Sequence, residues 1–154
     1  MKPNYVVIPL ITIAVALAGS HFTNRGMAWY QTLKRPALTP PGAAIGAVWT
    51  VLYVLATLSA LVVWNTFPRN ERFGWIVGLF LVNAFLNGFW SYLFFGRALI
   101  GPALVEMIAL LGTVVALMVL TFPGSKAASG LLIPYAAWVT FATYLTVMIW
   151  RLNS

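Results

Sequence analysis

Five stretches of this chain are each long and apolar enough to cross a lipid bilayer: residues 5–22, 43–64, 73–95, 101–122 and 130–150. A hydrocarbon core about 30 Å thick needs about 20 apolar residues in a helix. Backbone in lipid must satisfy its own hydrogen bonds, so such runs fold as helices rather than open strands. The strict alternation of a lipid-facing barrel strand is absent from all five. The expected fold is therefore an all-α membrane protein, one membrane domain over residues 1–154 built as a five-helix bundle.

The breaks between runs agree with that division. Pro36, Pro40, Pro41 and Gly42 precede the second run, and Pro68 and Asn70 separate it from the third. Gly96, Gly101 and Pro102, then Pro123, Gly124 and Ser125, mark the last two breaks. Short connections predict antiparallel neighbours. The stretch 23–42 is the exception, and its Trp29, Tyr30, Leu33 and Leu38 predict a long, packed loop over one end of the bundle. Lys2 ahead of an apolar core that ends in Ala16-Leu17-Ala18-Gly19 imitates a signal peptide; the run reads here as a retained span.

Composition removes several classes of chemistry. Hydrophobic residues make up 62% of the chain and charged ones 7%, against about a quarter charged in a soluble domain. With no Cys there is no disulfide, thiolate metal site or cysteine nucleophile. Two acids and one His leave no basis for a carboxylate-rich metal site, and no metal is expected. The net charge of +7 comes from basic residues scattered between the apolar runs. Nucleic-acid binding needs them clustered on one face, so cationic loops beside anionic lipid headgroups explain the charge better. Lys2, Arg69, Arg72 and Lys126 fall on one side of the membrane, and Arg25, Lys34, Arg35, Arg97 and Arg151 on the other, which leaves the orientation open.

Small-xxx-small spacings occur at Gly42/Gly46, Gly74/Gly78 and Gly112/Ala116. They predict close packing within the bundle or, for Gly74 and Gly78, the seam of a homodimer.

Polar and aromatic residues inside the runs are the candidates for recognition. Asn83, Asn87 and Ser91 recur every four residues, with Trp90 and Phe94 beside them, and so share one helix face. An amide facing lipid would go unpaired, so this stripe faces inward, either bonded between helices or lining a pocket. Trp49 and Tyr53 in the second run, and Trp138, Phe141, Ala142 and Leu145 in the fifth, form similar stripes. Trp64, Trp75 and Trp150 lie near span ends, where interfacial anchors sit. Trp49, Trp90 and Trp138 lie deeper, either as core filling or as an aromatic cage for a flat ligand. Glu106, one turn into the fourth run, is either a carboxylate stabilised by the helix N-terminus or a functional intramembrane acid. His21, at a span end, reads as an interfacial residue rather than a haem ligand.

Four motifs then stand in register with the spans. They are Trp29-Tyr30-x-x-Leu33-Lys34-Arg35-Pro36-x-x-Thr39-Pro40-Pro41 with Val48-Trp49-Thr50-x-x-Tyr53; Asn87-x-x-Trp90-Ser91-x-x-Phe94-Phe95; Pro134-Tyr135-x-x-Trp138-x-x-Phe141-Ala142-Thr143-x-Leu145; and Trp150-Arg151-Leu152-Asn153. Together they resemble the translocator protein family, also known as tryptophan-rich sensory proteins or peripheral-type benzodiazepine receptors. The resemblance implies a five-helix, often dimeric receptor or carrier that binds tetrapyrroles such as protoporphyrin IX and haem, and drug-like hydrophobic molecules. By motif, the pocket it implies takes in Tyr30, Pro41, Trp49, Asn83, Asn87, Trp90, Trp138, Phe141 and Ala142. Arg25, Lys34 or Arg35 near the loop would meet the propionates.

Some relatives are described as promoting light-dependent porphyrin breakdown. Here that would rest on Trp49 and Trp138 beside a photoexcited ligand, with no acid–base pair and no obligatory cofactor. Three departures stand out: Leu38 replaces the loop's usual aromatic, Thr146 an Asn, and Val147 the Tyr of the animal cholesterol motif. Sterol binding is therefore not carried over. Two other readings remain from the residues themselves. One is a small transporter of hydrophobic ligands with Glu106 as its proton-coupling group. The other is a structural assembly partner whose amide stripe is fully paired.

Overall fold

The computed structural model describes residues 2–154. Its long helices are α1 (Asn4–Thr32), α2 (Gly42–Thr66), α3 (Glu71–Ser91), α4 (Ile100–Thr121) and α6 (Ile133–Asn153), with a short α5 (Lys126–Gly130) before the last. Five segments are long and apolar enough to span a membrane, and no strand occurs among the described residues. The chain is an integral, multi-pass membrane protein, a five-helix bundle.

Boundaries follow local chemistry. Asn70 caps α3 by accepting from the Phe73 amide at 3.1 Å, and Ser125 caps α5 by accepting from Ala128 at 3.1 Å. The third span ends in a π-helical turn over Tyr92–Gly96. The fifth span is broken: α5 stops at Gly130 and α6 resumes at Ile133 with Pro134 in its first turn. Ser59 of α2 donates to the Ala128 carbonyl at 2.8 Å and Ser129 donates to Met118 at 2.9 Å, so α5 is tied to both α2 and α4.

Around the bundle the order is α1, α2, α6, α4, α3, with α3–α4 and α4–α6 the most extensive seams and α2–α6 sparse. The principal core runs between α2, α3, α4 and α6 through Leu52, Val63, Ile76, Leu110, Val114 and Val139. Arg72 forks onto the Leu120 carbonyl at 3.1 and 2.6 Å, joining the start of α3 to the end of α4.

Two expectations are corrected. The stretch 23–42 is not one long loop. No proline interrupts it before Pro36, and α1 continues to Thr32, which leaves residues 33–41 as the connection. Trp29 and Tyr30 therefore sit on a helix, with Trp29 edge-on to Phe94 at 5.5 Å and Tyr30 against Phe95 at 5.5 Å. The small-residue spacings also do not pack the bundle: Gly42, Gly46, Gly74, Gly78 and Gly112 have open space where a Cβ would stand. The closest approaches are made by Gly26 of α1 on the Phe95 backbone and Gly124 on the Phe67 ring, while Gly19 makes ordinary contact with Ser91. A Cβ on Gly26 would collide with the Phe95 carbonyl oxygen, so this glycine lets α1 lie directly on the π-turn.

Candidate functional site

Two stacked layers of side chains cross the bundle interior. The lower is polar and fully linked. Tyr53 donates to Asn87 Oδ1 at 2.8 Å, and Asn87 Nδ2 donates to the Tyr135 hydroxyl at 2.9 Å. Tyr135 donates to Asn83 Oδ1 at 3.0 Å, and Asn83 Nδ2 donates to Thr113 at 2.9 Å. Thr113 ends the chain on the Leu110 carbonyl at 2.7 Å. One continuous run of hydrogen bonds thus joins α2, α3, α6 and α4. Each amide is paired in the way a polar group in a low-dielectric interior requires. The amide stripe fills both roles open to it: these contacts bond helices together, and Asn83 and Asn87 also line a cavity.

The upper layer is aromatic and acidic. From the Asn83–Thr113 bond, seven residues towards the 33–41 loop lead to Trp90 on α3 and to Glu106 on α4. That is about 10 Å of rise on each of two antiparallel helices. Trp138 stands three residues beyond Tyr135 and Trp49 four beyond Tyr53, both in the same direction. Trp49 covers the polar layer, with its ring 5.7 Å from Tyr53 and 6.2 Å from Tyr135. Trp90 stacks on Phe94 at 5.0 Å. Among the described residues, the buried side-chain polar atoms without a partner are Trp90 Nε1, Trp138 Nε1 and both carboxyl oxygens of Glu106. By helix register all of them lie on the loop side of the polar layer, Trp138 on the α2–α6 groove and Trp90 against Phe94. Two donors and a double acceptor at membrane depth carry a desolvation cost that nothing in the protein offsets.

The remaining expected residues sit around these layers. Tyr30 packs on Phe94 and Phe95 and carries Arg35 over its ring at 5.0 Å. Pro41, exposed, caps the start of α2. Ala142 packs against the principal core one turn above Trp138. Trp138 and Phe141 face the sparse α2–α6 seam, where with Ala47, Val51 and Pro134 they line an open groove of about 540 Å³. The enclosed space lies elsewhere, below the polar layer: a cavity of about 360 Å³ between α1, α2 and α3 that reaches Asn83, Asn87 and Tyr135. The indoles and the carboxamides therefore do not surround one shared void. They occupy successive levels. His21 is exposed at the α1 surface, edge-on to Phe22 at 5.4 Å.

Two contributors were not singled out from the sequence. Tyr135 appeared only as part of a motif, yet its hydroxyl bridges both asparagines. Asn153 holds the loop to α6, accepting from the Lys34 amide at 3.0 Å and donating to the Lys34 carbonyl at 2.9 Å. Thr113, a lone mid-span hydroxyl, was the available signal for the partner of Asn83.

A polytopic helical bundle with tryptophans from three helices at one interior level is a tryptophan-rich integral membrane protein. Residues 6–151 match the TspO/MBR family, and the chain belongs to it. It is 32% identical to the Tryptophan-rich protein TspO of Bacillus cereus over 153 residues, 99% of each chain. The protein of that name from Archaeoglobus fulgidus is 37% identical over 147 residues, 94% of each. The human Translocator protein is 34% identical over 158 aligned positions, covering 99% of this chain and 94% of the human one.

Proposed function

We propose that the chain is an intramembrane binding protein for flat hydrophobic ligands with polar edges, tetrapyrroles such as protoporphyrin IX and haem foremost. The observation that carries this reading is the upper layer, where Trp90, Trp138 and Glu106 hold polar atoms that the protein itself leaves unpaired. A free-base tetrapyrrole answers each of them. Its ring stacks on indoles, its pyrrole N–H groups donate to a carboxyl, and its imine nitrogens or propionates accept from an indole N–H. The sparse α2–α6 seam, with Trp138 and Phe141 on its wall, is the way in from the membrane. Arg35, already held over Tyr30, is the cation nearest the loop-side rim. Any photochemistry would be the ligand's own, with Trp49 and Trp138 as neighbours and the bundle confining it. We also propose that two copies associate along the outward face of Gly74 and Gly78, which nothing in the bundle covers.

The test is quenching of intrinsic fluorescence as protoporphyrin IX is titrated into purified protein. Trp138→Ala should weaken binding by at least about tenfold, or ~1.4 kcal/mol, the scale of one aromatic contact in a desolvated site. Unchanged affinity in a folded variant removes Trp138 from the site.

A further inference from the structure

The cavity below the polar layer is a separate chamber. Its walls are Val7, Ile11 and Val15 of α1, Ala60 of α2, and Leu81 and Ala84 of α3, among other mostly apolar neighbours. Tyr53, Asn83, Asn87 and Tyr135 close its inner end, and their hydrogen bonds are made to one another and to Thr113. Among the described residues, the buried polar side chains at this inner end are all paired, and the rest of the lining is predominantly apolar, which suits an apolar occupant.

The way α1 is held explains the opening. In its loop-side half, Gly19 and Gly26 lie on Ser91 and Phe95 and press α1 against α3. In the other half, α1 is tied instead to α2, through Thr12 to Thr57 at 2.7 Å and Asn4 to Asn65 at 3.4 Å. A wedge is left between α1 and α3. Val7 and Leu81, each 52% exposed although they line the cavity, mark its mouth. That mouth lies within the membrane-spanning segments, so bilayer hydrocarbon meets it in any copy whose α3 stripe through Gly74, Gly78 and Leu81 is not paired.

Dimensions favour a lipid tail. From Asn4 to Val15 the chamber runs along about 17 Å of helix, close to half of a core about 30 Å thick. At about 360 Å³ over that length the chamber is a long, narrow slot, a shape that suits an extended hydrocarbon chain. At the outer end stand Lys2, two residues before Asn4, and Arg69, four after its partner Asn65. Both are cationic and exposed at headgroup level.

We propose that this chamber holds one acyl chain of an anionic phospholipid, admitted from the bilayer between α1 and α3, with its phosphate beside Lys2 and Arg69. The site is distinct from the tryptophan layer and does not rest on the tetrapyrrole reading.

The test uses the full chain in vesicles of phosphatidylcholine and phosphatidylglycerol carrying a trace of phospholipid with a diazirine near the end of one acyl chain. After irradiation, adducts are mapped by peptide mass spectrometry. Adducts should concentrate on Val15, Ala56 and Ala84, at the inner end that the tip of the chain reaches, above the level on Val105 and Val119, which face outward from α4. Ala84→Phe and, independently, Ala60→Phe fill the chamber and should bring its labelling down to that outward level, with thermal unfolding showing which variant is folded. Labelling spread evenly around the bundle, or unchanged in a folded filled variant, overturns the proposal. So does an Ile11→Cys protein that oxidises to a disulfide-linked pair while excluding the lipid label, because the occupant is then a second copy. Labelling should be stronger with phosphatidylglycerol as the labelled lipid than with phosphatidylcholine, and Lys2→Gln should erase that difference. Equal labelling by both overturns the anionic assignment.

Discussion

Glu106 is a residue costly to the fold and, under the proposed function, useful to the site. Its carboxyl is buried in α4 with neither oxygen bonded, level with two indole N–H groups in the same condition. Replacing an unpaired buried polar group by an apolar one of similar shape removes a desolvation cost of about 1–3 kcal/mol. Glu106→Leu should therefore raise the unfolding temperature of the ligand-free protein in detergent while lowering its affinity for protoporphyrin IX. A residue kept for structure would do the opposite on melting, so a lowered unfolding temperature contradicts the assignment. The amides of the layer below are a contrasting case. Asn83 and Asn87 spend their bonds on Tyr53, Tyr135 and Thr113, and so fix the register of α2, α3, α4 and α6.

At the scale of elements, α1 is the helix most dependent on one contact. Gly26 permits backbone-to-backbone approach to the π-turn, and any Cβ there must displace the Phe95 carbonyl. Gly26→Val should destabilise the protein by about 1–3 kcal/mol, the cost of overpacking a tight interface, read as a lowered midpoint of thermal unfolding. An unchanged midpoint would mean that α1 can shift without loss. The connection 33–41 depends instead on Asn153, whose amide grips both backbone groups of Lys34. Asn153→Ala should speed hydrogen exchange at Lys34 and its neighbours and leave the mid-span amides of α3 and α4 protected. Equal protection in the variant shows that the loop is held by other contacts.

These elements also show what was legible in the chain and what was not. The five spans came directly from hydropathy and length, because lipid as solvent leaves helices almost no competitor. The end of α1 did not. Residues 23–32 mix polar and aromatic types, and only packing on Phe94 and Phe95 shows them to be helical. Periodicity correctly placed Asn83, Asn87 and Ser91 on one buried face. It says nothing of partners on other helices, so the amides' engagement with Tyr53, Tyr135 and Thr113 appears only in three dimensions. Likewise glycine spacing finds small surfaces but not which way they point, and the glycines in the tightest contacts, Gly26 and Gly124, belong to none of the spaced pairs.

At the scale of the whole molecule, the bundle is strongly packed on one flank and loosely on the other. α4 sits between α3 and α6 along extensive seams, whereas α2 touches α6 and α3 only sparsely. Both open spaces, the groove at Trp138 and the chamber behind α1, border α2. The looser packing therefore lies on the α2 side and the rigid packing on the α4 side. The outward glycines of α3 bear on assembly instead. Because Gly78 has no neighbour within the bundle, Gly78→Leu should leave unfolding unchanged while shifting a detergent-solubilised pair towards the single chain in analytical ultracentrifugation. An unaltered mass would place any pairing surface on another face.

The grip of Asn153 on Lys34 has a consequence for biogenesis. These partners are 119 positions apart in the chain. During synthesis the first two helices can enter the bilayer long before the residue that fastens their connection has been made. The nascent protein thus carries an unfastened cover until its final helix is threaded into place. Fastening of the 33–41 connection should switch on late and abruptly, at the last stage of insertion, rather than accrue helix by helix.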